Sequence, residues 1–547
     1  MASHAPTFDT LAKPPVTALS GKLTLFAAAL LVALQIELLF AKSVNWDEFF
    51  HFSQIHASLR GEPVQWLQTP HVYLFSLVPS LPGSPIDHIL LTRILILPFA
   101  VVTCLAIYDI ARRFADEQSA ALAALAFAGG GNVFMHAFAL RADMIAAALL
   151  TGALWILITR SRSIIWVGAA AALCGIAAIA TIKSVLYAPA LIAAAAWRWR
   201  GKIGIRAVTG MLLLGLAVAM AAFALAPAEI TQSIKGLARS SANRMFSAGV
   251  FPQGHHFITQ LAIAPILTGF VVLAFIKTTT GNCRMPFWLV LGLVLPLASI
   301  IIYRNAYPYY YAFILPPVAI VAALGVQPIV ERYGARIVLG GIVLNALILS
   351  VAEERDMLDR QRIVQSGISE IFPEPVRYID DIAFRPDFPR AVPHFASGWA
   401  LENYHRRGEL VYTEAMKSAP TPFLFRQGYA LEVLEPVPGD EAALLPEDAA
   451  ALQGNYIQHW GRVFVAGKHI EPSDTVRSIV LAVPGRYTVE GGDITLDGVK
   501  HAAGSVVVLG RDAIEIGPNT KTSTLRWGDA LPIPATPFPT GQLFTNY

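Results

Sequence analysis

The sequence predicts a polytopic α-helical membrane protein of about eleven transmembrane helices, followed by a C-terminal extracytoplasmic domain of α/β to β-rich character. Only 14% of the 547 residues are charged, whereas an ordinary soluble domain carries about 25%. Mean hydropathy is +0.53, and apolar runs such as 25–41 and 211–226 approach the ~20 residues that cross a bilayer core. A large globular enzyme with buried helices is the alternative, but these runs lack the polar face that it would need.

Apolar runs place the helices, and the basic residues between them orient the chain. We predict helices at about 23–41, 88–109, 118–135, 142–159, 163–181, 184–197, 207–227, 257–276, 286–303, 309–327 and 335–351. Lysine and arginine gather in alternate short links, so the positive-inside rule puts the N-terminus in the cytoplasm. The connections predicted to lie outside are 42–87, 136–141, 182–183, 228–256 and 304–308. An odd number of spans also puts the domain of residues 355–547 outside, beyond a membrane domain of residues 1–354.

The C-terminal domain changes in texture along its length. Residues 373–426 mix short apolar runs with helical stretches, as in an α/β fold, and strand-like runs follow at 479–483, 487–489, 494–496 and 506–509. Turn pairs separate these runs: Pro-Gly at 484, Gly-Gly at 491 and Asp-Gly at 497. All three cysteines precede residue 284, so this domain contains no disulfide.

The long first external link carries an unusual group of ionisable residues, Asp47, Glu48 and His51. A helix over 47–60 would place Asp47, His51, Gln54 and Ser58 on one polar stripe. Phe52, Ile55 and Leu59 would then face lipid, as in an interfacial amphipathic helix. The alternative is that the two acids only cap the helix, since carboxylates are favoured in a first turn.

Further polar side chains map to the same predicted side of the membrane, where ionisable groups usually line a cavity or pair with each other. They are His136, Arg141, Asp143, Lys183, Arg304 and Tyr307, together with Arg244, His255 and His256 in the link 228–256. The alternatives are a structural Arg141–Asp143 ion pair, an interfacial tyrosine belt at 307–311 and a solvated connection at 228–256. The sequence has no Walker loop, Rossmann fingerprint, HExxH motif or Cys/His metal spacing, which disfavours nucleotide-driven pumping and zinc proteolysis.

The order of these motifs resembles the GT-C glycosyltransferases over about residues 20–350. The likeness rests on Trp46-Asp47-Glu48 after the first helix, Arg141-Ala142-Asp143, Thr181-Ile182-Lys183, and the segment 304–311 ahead of Leu315-Pro316-Pro317. The branch it resembles contains the protein O-mannosyltransferases and the lipid A aminoarabinose transferases. In that branch, Asp47 matches the catalytic acid of the first external loop and Asp143 matches a second acidic position. The sequence departs from the pattern because His51 follows shortly after the acidic pair Asp47 and Glu48. It also lacks an Asp-x-Asp metal signature, which leaves divalent-cation dependence open.

The resemblance implies an inverting transfer of a monosaccharide from a polyprenyl-phosphate carrier to an acceptor outside the membrane. The acceptor is an envelope glycan, lipid A or a protein hydroxyl, and no nucleic-acid partner is expected. We expect Asp47 to be the base, a role that typically contributes about 10²–10⁴ in rate, with His51 or Glu48 orienting it. Lys183, Arg304 and Arg244 would stabilise the departing phosphate, while Arg141 and Asp143 would shape the sugar pocket.

Two other functions fit the sequence. A flippase or transporter of lipid-linked intermediates would also place charges in a membrane cavity, although on both faces. A scaffold or receptor whose external domain binds glycan would make Asp47 incidental. The lack of external disulfides favours a bacterial inner membrane, with the C-terminal domain in the periplasm.

Overall fold

The computed structural model describes residues 21–62, 64, 70–161, 163–198, 210, 249–281, 284–392, 398–435 and 443–545. The predicted span 207–227 lies outside these residues except for position 210. Arg244, one of the predicted phosphate-binding residues, also lies outside them.

The first part of the described chain is helical. Its helices are α1 (Gly21–Ala41), α2 (Trp46–Leu59), α3 (Pro70–Leu74), α4 (Pro85–Ala111), α5 (Glu117–Ala128), α6 (Gly131–His136), α7 (Ala142–Thr159), α8 (Ile164–Ala180), α9 (Ala188–Arg198), α10 (Gly254–Ile263), α11 (Pro265–Thr279), α12 (Phe287–Val294), α13 (Tyr310–Ile314), α14 (Pro316–Ala322), α15 (Val326–Tyr333) and α16 (Ala335–Ala352). Short 3₁₀ segments occur at Val78–Ser80, Ile182–Tyr187, Leu295–Ile301 and Ala323–Gly325.

Apolar helices of membrane-spanning length confirm the membrane class. Within the described ranges, four helices are long and apolar enough to span a bilayer, namely α1, α4, α7 and α16. The bent pair α10–α11, with an angle of 96° between its halves, makes a fifth if it is counted as one span. The predicted count of about eleven therefore stays a prediction.

Several predicted spans are broken in the structure, because hydropathy reports lipid contact and not helix continuity. The span predicted at 118–135 divides between α5 and α6, where a Cβ on Gly130 would lie 2.5 Å from the Ala126 carbonyl oxygen and Gly131 has φ +55°. The span predicted at 309–327 divides into three short segments and runs on into α15, with Pro316 starting α14. Proline removes a backbone donor and clashes with the preceding turn, so it favours such breaks.

Helix α2 forms close to its predicted bounds but does not lie at the lipid interface. Asn45 and Glu48 form a capping box at its start. The prediction that Phe52 and Ile55 face lipid is wrong, because both side chains are fully buried. Phe49 on the same helix packs against Phe384 of the C-terminal domain, with ring centroids 5.1 Å apart. The C-terminal domain therefore covers the helix that carries Asp47.

Over its described residues, the C-terminal domain combines four α-helices with two sheets. The helices are α17 (Asp356–Ile371), α18 (Gly398–Arg407), α19 (Val411–Ser418) and α20 (Pro446–Asn455); the strands are β1 (Tyr378–Ile379), β2 (Phe423–Phe425), β3 (Tyr456–Trp460), β4 (Val463–Ile470), β5 (Arg477–Ile479), β6 (Gly485–Gly491), β7 (Ile494–Leu496), β8 (Val499–His501), β9 (Val506–Leu509), β10 (Ile514–Ile516) and β11 (Ser523–Trp527). One sheet has the order β1-β2-β4-β11-β6-β9, with β3 also paired to β4, and the other has the order β5-β10-β7-β8. Strands β1 and β2 are parallel, and the other named pairs are antiparallel.

Turn chemistry predicted part of this domain closely. Asp497 and Gly498, with φ of +49° and +77°, join β7 to β8, as a two-residue hairpin turn requires. The predicted strands 494–496 and 506–509 are confirmed as β7 and β9. The strand predicted at 479–483 is wrong over most of its length, because β5 ends at Ile479, where its pairing with β10 ends.

Candidate active site

Four charged side chains form a continuous chain at one end of the helix bundle. Arg141 donates from Nη1 to Asp47 Oδ2 and from Nε to Asp143 Oδ2, the latter at 3.1 Å. Lys183 Nζ donates to Asp143 Oδ1. The four side chains are between 7% and 12% exposed. Two carboxylates and two cations thus neutralise each other in a site that is nearly closed to water.

Each member of this chain stands at a helix terminus. Asp47 occupies the first turn of α2, and Asp143 occupies the first turn of α7, where the helix dipole favours a negative charge. Arg141 is the extended residue that precedes α7. Lys183 lies in the 3₁₀ segment after α8, where its backbone N–H donates to the hydroxyl of Thr181. The predicted pairing of Arg141 with Asp143 is present, and it extends to Asp47 and Lys183.

Aromatic rings form one wall of the site. The Arg141 guanidinium lies 3.3 Å from the centroid of the Tyr309 ring, close enough for a cation–π interaction. Tyr307 lies 6.0 Å from Tyr309 and 5.7 Å from His256, measured between ring centroids. These contacts connect the predicted residues Tyr307 and His256 to the charged chain.

The interpretation of the tyrosines as an interfacial belt is wrong for Tyr309, Tyr310 and Tyr311. Belt residues stand between lipid and water, whereas these three side chains are buried in the protein. The Tyr310 hydroxyl lies 2.6 Å from the hydroxyl of Ser299. The aromatic run is therefore part of the protein interior beneath the charged chain.

Glu48 belongs to a different network from its neighbour Asp47. Its carboxylate accepts hydrogen bonds from Arg93 at 2.8 and 2.5 Å, from the Leu140 N–H at 2.9 Å and from the Asn45 N–H at 3.0 Å. Arg93 uses its other donors on the backbone oxygens of Leu39, Lys42 and Ser43. Within the part of the chain that the structure describes, no hydrogen bond joins Glu48 to the Asp47 carboxylate, which Glu48 was predicted to orient. Glu48 instead anchors the backbone beside Asp47 and the backbone beside Arg141.

A small cavity adjoins the charged chain and includes another predicted residue. Its lining includes His136, Arg141 and Tyr309 from the helical part and Thr545 from the end of the described chain.

His51, predicted with the catalytic group, packs edge-on against His71, with ring centroids 4.7 Å apart. Burial lowers the pKa of His71 to about 3, so this partner of His51 is neutral at physiological pH.

The remaining predicted residues are more exposed than the charged chain. His255 is exposed, and its ring is tilted by 45° to the ring of His256, with centroids 3.8 Å apart. Arg304 is half-buried, and no hydrogen bond or ion pair engages its side chain within the part of the chain that the structure describes. Among the described residues, no group of three His, Cys, Asp or Glu side chains is arranged to hold a metal ion. The dependence on a divalent cation therefore stays open.

Three residues that contribute to the site are absent from the predicted set. Tyr309 and Arg93 are outside the predicted site, although Arg93 gives a usable signal because an arginine inside an apolar helix needs a buried acid as its partner. Thr545 also reaches the cavity, and its local sequence carries no signal for that position.

Comparison with known proteins places this geometry in a known fold. No protein-family model and no curated protein matches the sequence. The structure is similar to that of ArnT from Cupriavidus metallidurans in the apo state, with a TM-score of 0.53 and 13% identity over 81% of this chain and 98% of that chain. The chain has the GT-C fold. The structure of the same ArnT bound to undecaprenyl phosphate matches with a TM-score of 0.50 and 12% identity, over 68% of this chain and 86% of that chain. The predicted resemblance to the GT-C superfamily is confirmed in the fold.

Proposed function

We propose that this protein is an inverting glycosyltransferase that moves a monosaccharide from a polyprenyl-phosphate carrier to an acceptor hydroxyl. The observation that supports it most directly is the chain Asp47–Arg141–Asp143–Lys183 at one end of an apolar bundle. ArnT, which has the same fold, binds undecaprenyl phosphate. The acceptor belongs to an envelope glycan, lipid A or a protein, and the setting we propose is a bacterial inner membrane with the C-terminal domain in the periplasm.

The charge balance of the site suits an anionic donor. Without a ligand, Lys183 and Arg141 are neutralised by Asp143 and Asp47. A donor phosphate competes with these carboxylates for the two cations and leaves Asp47 free to face the acceptor. Arg304, which has no ion-pair partner among the described residues, is the further cation that we propose for the phosphate. Fixed cations beside the leaving group stabilise the charge that develops there, which is often the largest catalytic contribution.

The chemistry then needs one base and one leaving group. The acceptor oxygen attacks the anomeric carbon, its proton passes to the Asp47 carboxylate, and the bond from the anomeric carbon to the phosphate oxygen breaks. The phosphate leaves with the electron pair and remains on the polyprenyl carrier. A direct displacement of this kind inverts the anomeric centre.

A flippase for lipid-linked intermediates is the alternative, and the distribution of charge favours the enzyme. Transport would need polar groups along a path to the other end of the bundle. One acid there, Asp109, is engaged by Arg112 and by the Trp155 indole N–H at 2.6 Å. The long charged chain described above lies at the opposite end of α4 and α7 from Asp109.

Label transfer from a radioactive polyprenyl-phosphate sugar pool tests the proposal. Membranes with matched amounts of wild type, Asp47→Asn and Glu62→Gln are compared, because Glu62 is an exposed acid that pairs with Arg60. We expect wild type and Glu62→Gln to transfer label and Asp47→Asn to lose at least ~100-fold. Equal transfer by all three proteins would remove Asp47 from the chemistry. Transfer by none of them, from any lipid donor, would favour the flippase.

A further inference from the structure

The end of the described chain returns from the C-terminal domain to the candidate active site. After β11, Phe538 packs on Trp460 with ring centroids 4.9 Å apart. The chain then reaches the segment 541–545, which we name the C-terminal strap. Leu543 and Phe544 within it are 1% and 9% exposed, and Thr545 lines the cavity beside Arg141. The strap thus supplies part of the wall of the site.

Gln361 on α17 ties this strap to the residue that leads into α2. Its side chain is fully buried. Its Oε1 accepts from the Val44 N–H at 2.9 Å, and its Nε2 donates to the Val44 oxygen and the Leu543 oxygen, both at 2.7 Å. An amide is the side-chain group that both donates and accepts in this way. Glutamate would present a second acceptor to two carbonyl oxygens.

Aromatic packing holds the strap against the first turns of α2. The Phe544 ring lies 5.9 Å from the rings of both Phe49 and Phe384, between centroids, and Phe49 lies 5.1 Å from Phe384. Arg360 adds a hydrogen bond from Nε to the Gln542 oxygen at 3.0 Å. Because Asp47 precedes Phe49 by two residues on the same helix, these contacts fix the backbone that carries the Asp47 carboxylate.

We propose that Gln361 and Phe544 are positioning residues, through which the C-terminal strap holds Asp47 in register with Arg141 and the acceptor. The effect on rate rests on the proposed glycosyl transfer, whereas the mechanical link to α2 does not. A displacement of a reacting group by about 1 Å can lower a rate about 100-fold. The C-terminal domain is on this view part of the catalytic machinery and more than an accessory module.

The test uses the full chain in detergent or nanodiscs and measures rate, donor KM and amide exchange together. Gln361→Glu removes the two donated hydrogen bonds at nearly constant volume, and Phe544→Ala removes the ring. Phe544→Leu keeps apolar bulk and serves as the rescue variant. Gln458→Glu, at an exposed position on β3, is the matched control for the change of charge.

We expect Gln361→Glu and Phe544→Ala to lower kcat per folded molecule at least about tenfold, with donor KM changed less than about threefold. Amide exchange across 46–59 should become faster in both variants. Phe544→Leu should recover most of the rate, and Gln458→Glu should match wild type. A merely stabilising strap would lower the yield or the unfolding temperature and leave kcat per folded molecule unchanged.

The outcomes separate this inference from the proposed function. If wild type transfers sugar and both variants keep its kcat per folded molecule, the positioning role is wrong. Unchanged exchange over 46–59 in both variants would also overturn it. If wild type transfers nothing from polyprenyl donors but the variants loosen α2, the proposed function fails while the link from the strap to α2 holds.

Discussion

The candidate active site in the helix bundle and the C-terminal domain both bury carboxylates, but they stabilise them differently. In the candidate active site, Asp47 and Asp143 each pair with a cation. In the C-terminal domain, Asp381 is fully buried and receives the Tyr412 hydroxyl at 3.0 Å. Its sequence neighbour Asp380 accepts the N–H groups of residues 382 and 384. No cation pairs directly with the Asp381 carboxylate among the described residues.

The two acids of the C-terminal domain bind protons more tightly than a free carboxylate does. Burial raises the pKa of Asp381 to about 8, with a further contribution from the charge of Asp380. Burial also raises the pKa of Asp380 to about 6, against the opposing effect of Arg390. Burial alone therefore does not mark a reactive carboxylate. A buried acid beside a cation that a ligand can take over is suited to chemistry, whereas a protonated acid closed off by a tyrosine serves the fold.

The largest effect should come from Glu48→Gln, which tests whether the buried acid next to Asp47 is structural. The change leaves Arg93 charged and uncompensated in the interior, which typically costs about 3–5 kcal/mol in the free energy of unfolding. We expect a sharp fall in folded protein and in unfolding temperature, measured in detergent. Glu62→Gln, at an exposed ion pair, should leave both near wild type. A Glu48→Gln protein that is stable but inactive would instead place Glu48 in the chemistry.

The sequence predicted the membrane site better than the contacts around it. Arg141, Asp143 and Lys183 could be assigned to one site because ionisable side chains in apolar segments must find each other or water. The different partners of the adjacent acids Asp47 and Glu48 were harder to predict. Successive helical residues point about 100° apart, so nothing local shows that Arg93 pairs with Glu48 and Arg141 with Asp47.

Longer-range packing could not be predicted from local pattern. The apolar residues Phe52 and Ile55 are typical of a lipid-facing stripe, but both are buried because α2 packs inside the protein. The Phe52 ring lies 6.1 Å from the ring of His88 on α4, and Phe49 on the same helix packs against Phe384, 335 residues later in the chain. Strands β7 and β9 were predicted correctly because their turns are encoded in place. The contact of Leu543 with Gln361 joins positions 182 residues apart, and neither residue type predicts it.

An intermediate effect is expected at Lys183, which we propose pairs with Asp143 in the absence of donor and with the donor phosphate when it is bound. Lys183→Met removes the partner of Asp143 and one of the cations proposed to receive phosphate. A hydrogen bond to a charged group contributes about 1.5–3 kcal/mol, so donor KM should rise about 10- to 100-fold. Lys183→Arg should keep part of the affinity, and Lys417→Met, at an exposed ion pair, should change nothing. An unchanged donor KM in Lys183→Met would separate this lysine from phosphate binding.

The smallest effect should be the pH dependence of the stability of Asp381→Asn, which tests whether the buried Asp381 of the C-terminal domain is protonated. The folded-state pKa of Asp381 lies above the ~3.9 of an unfolded chain, so the folded protein binds the extra proton. Stability from this group is complete below about pH 4 and is lost as pH rises towards about 8. The asparagine variant should unfold near the wild-type temperature at pH 5 and above it at pH 8 to 9, in scans of the full chain. The exposed control Asp512→Asn should follow wild type throughout. Parallel curves for wild type and Asp381→Asn would mean that Asp381 is ionised in the fold.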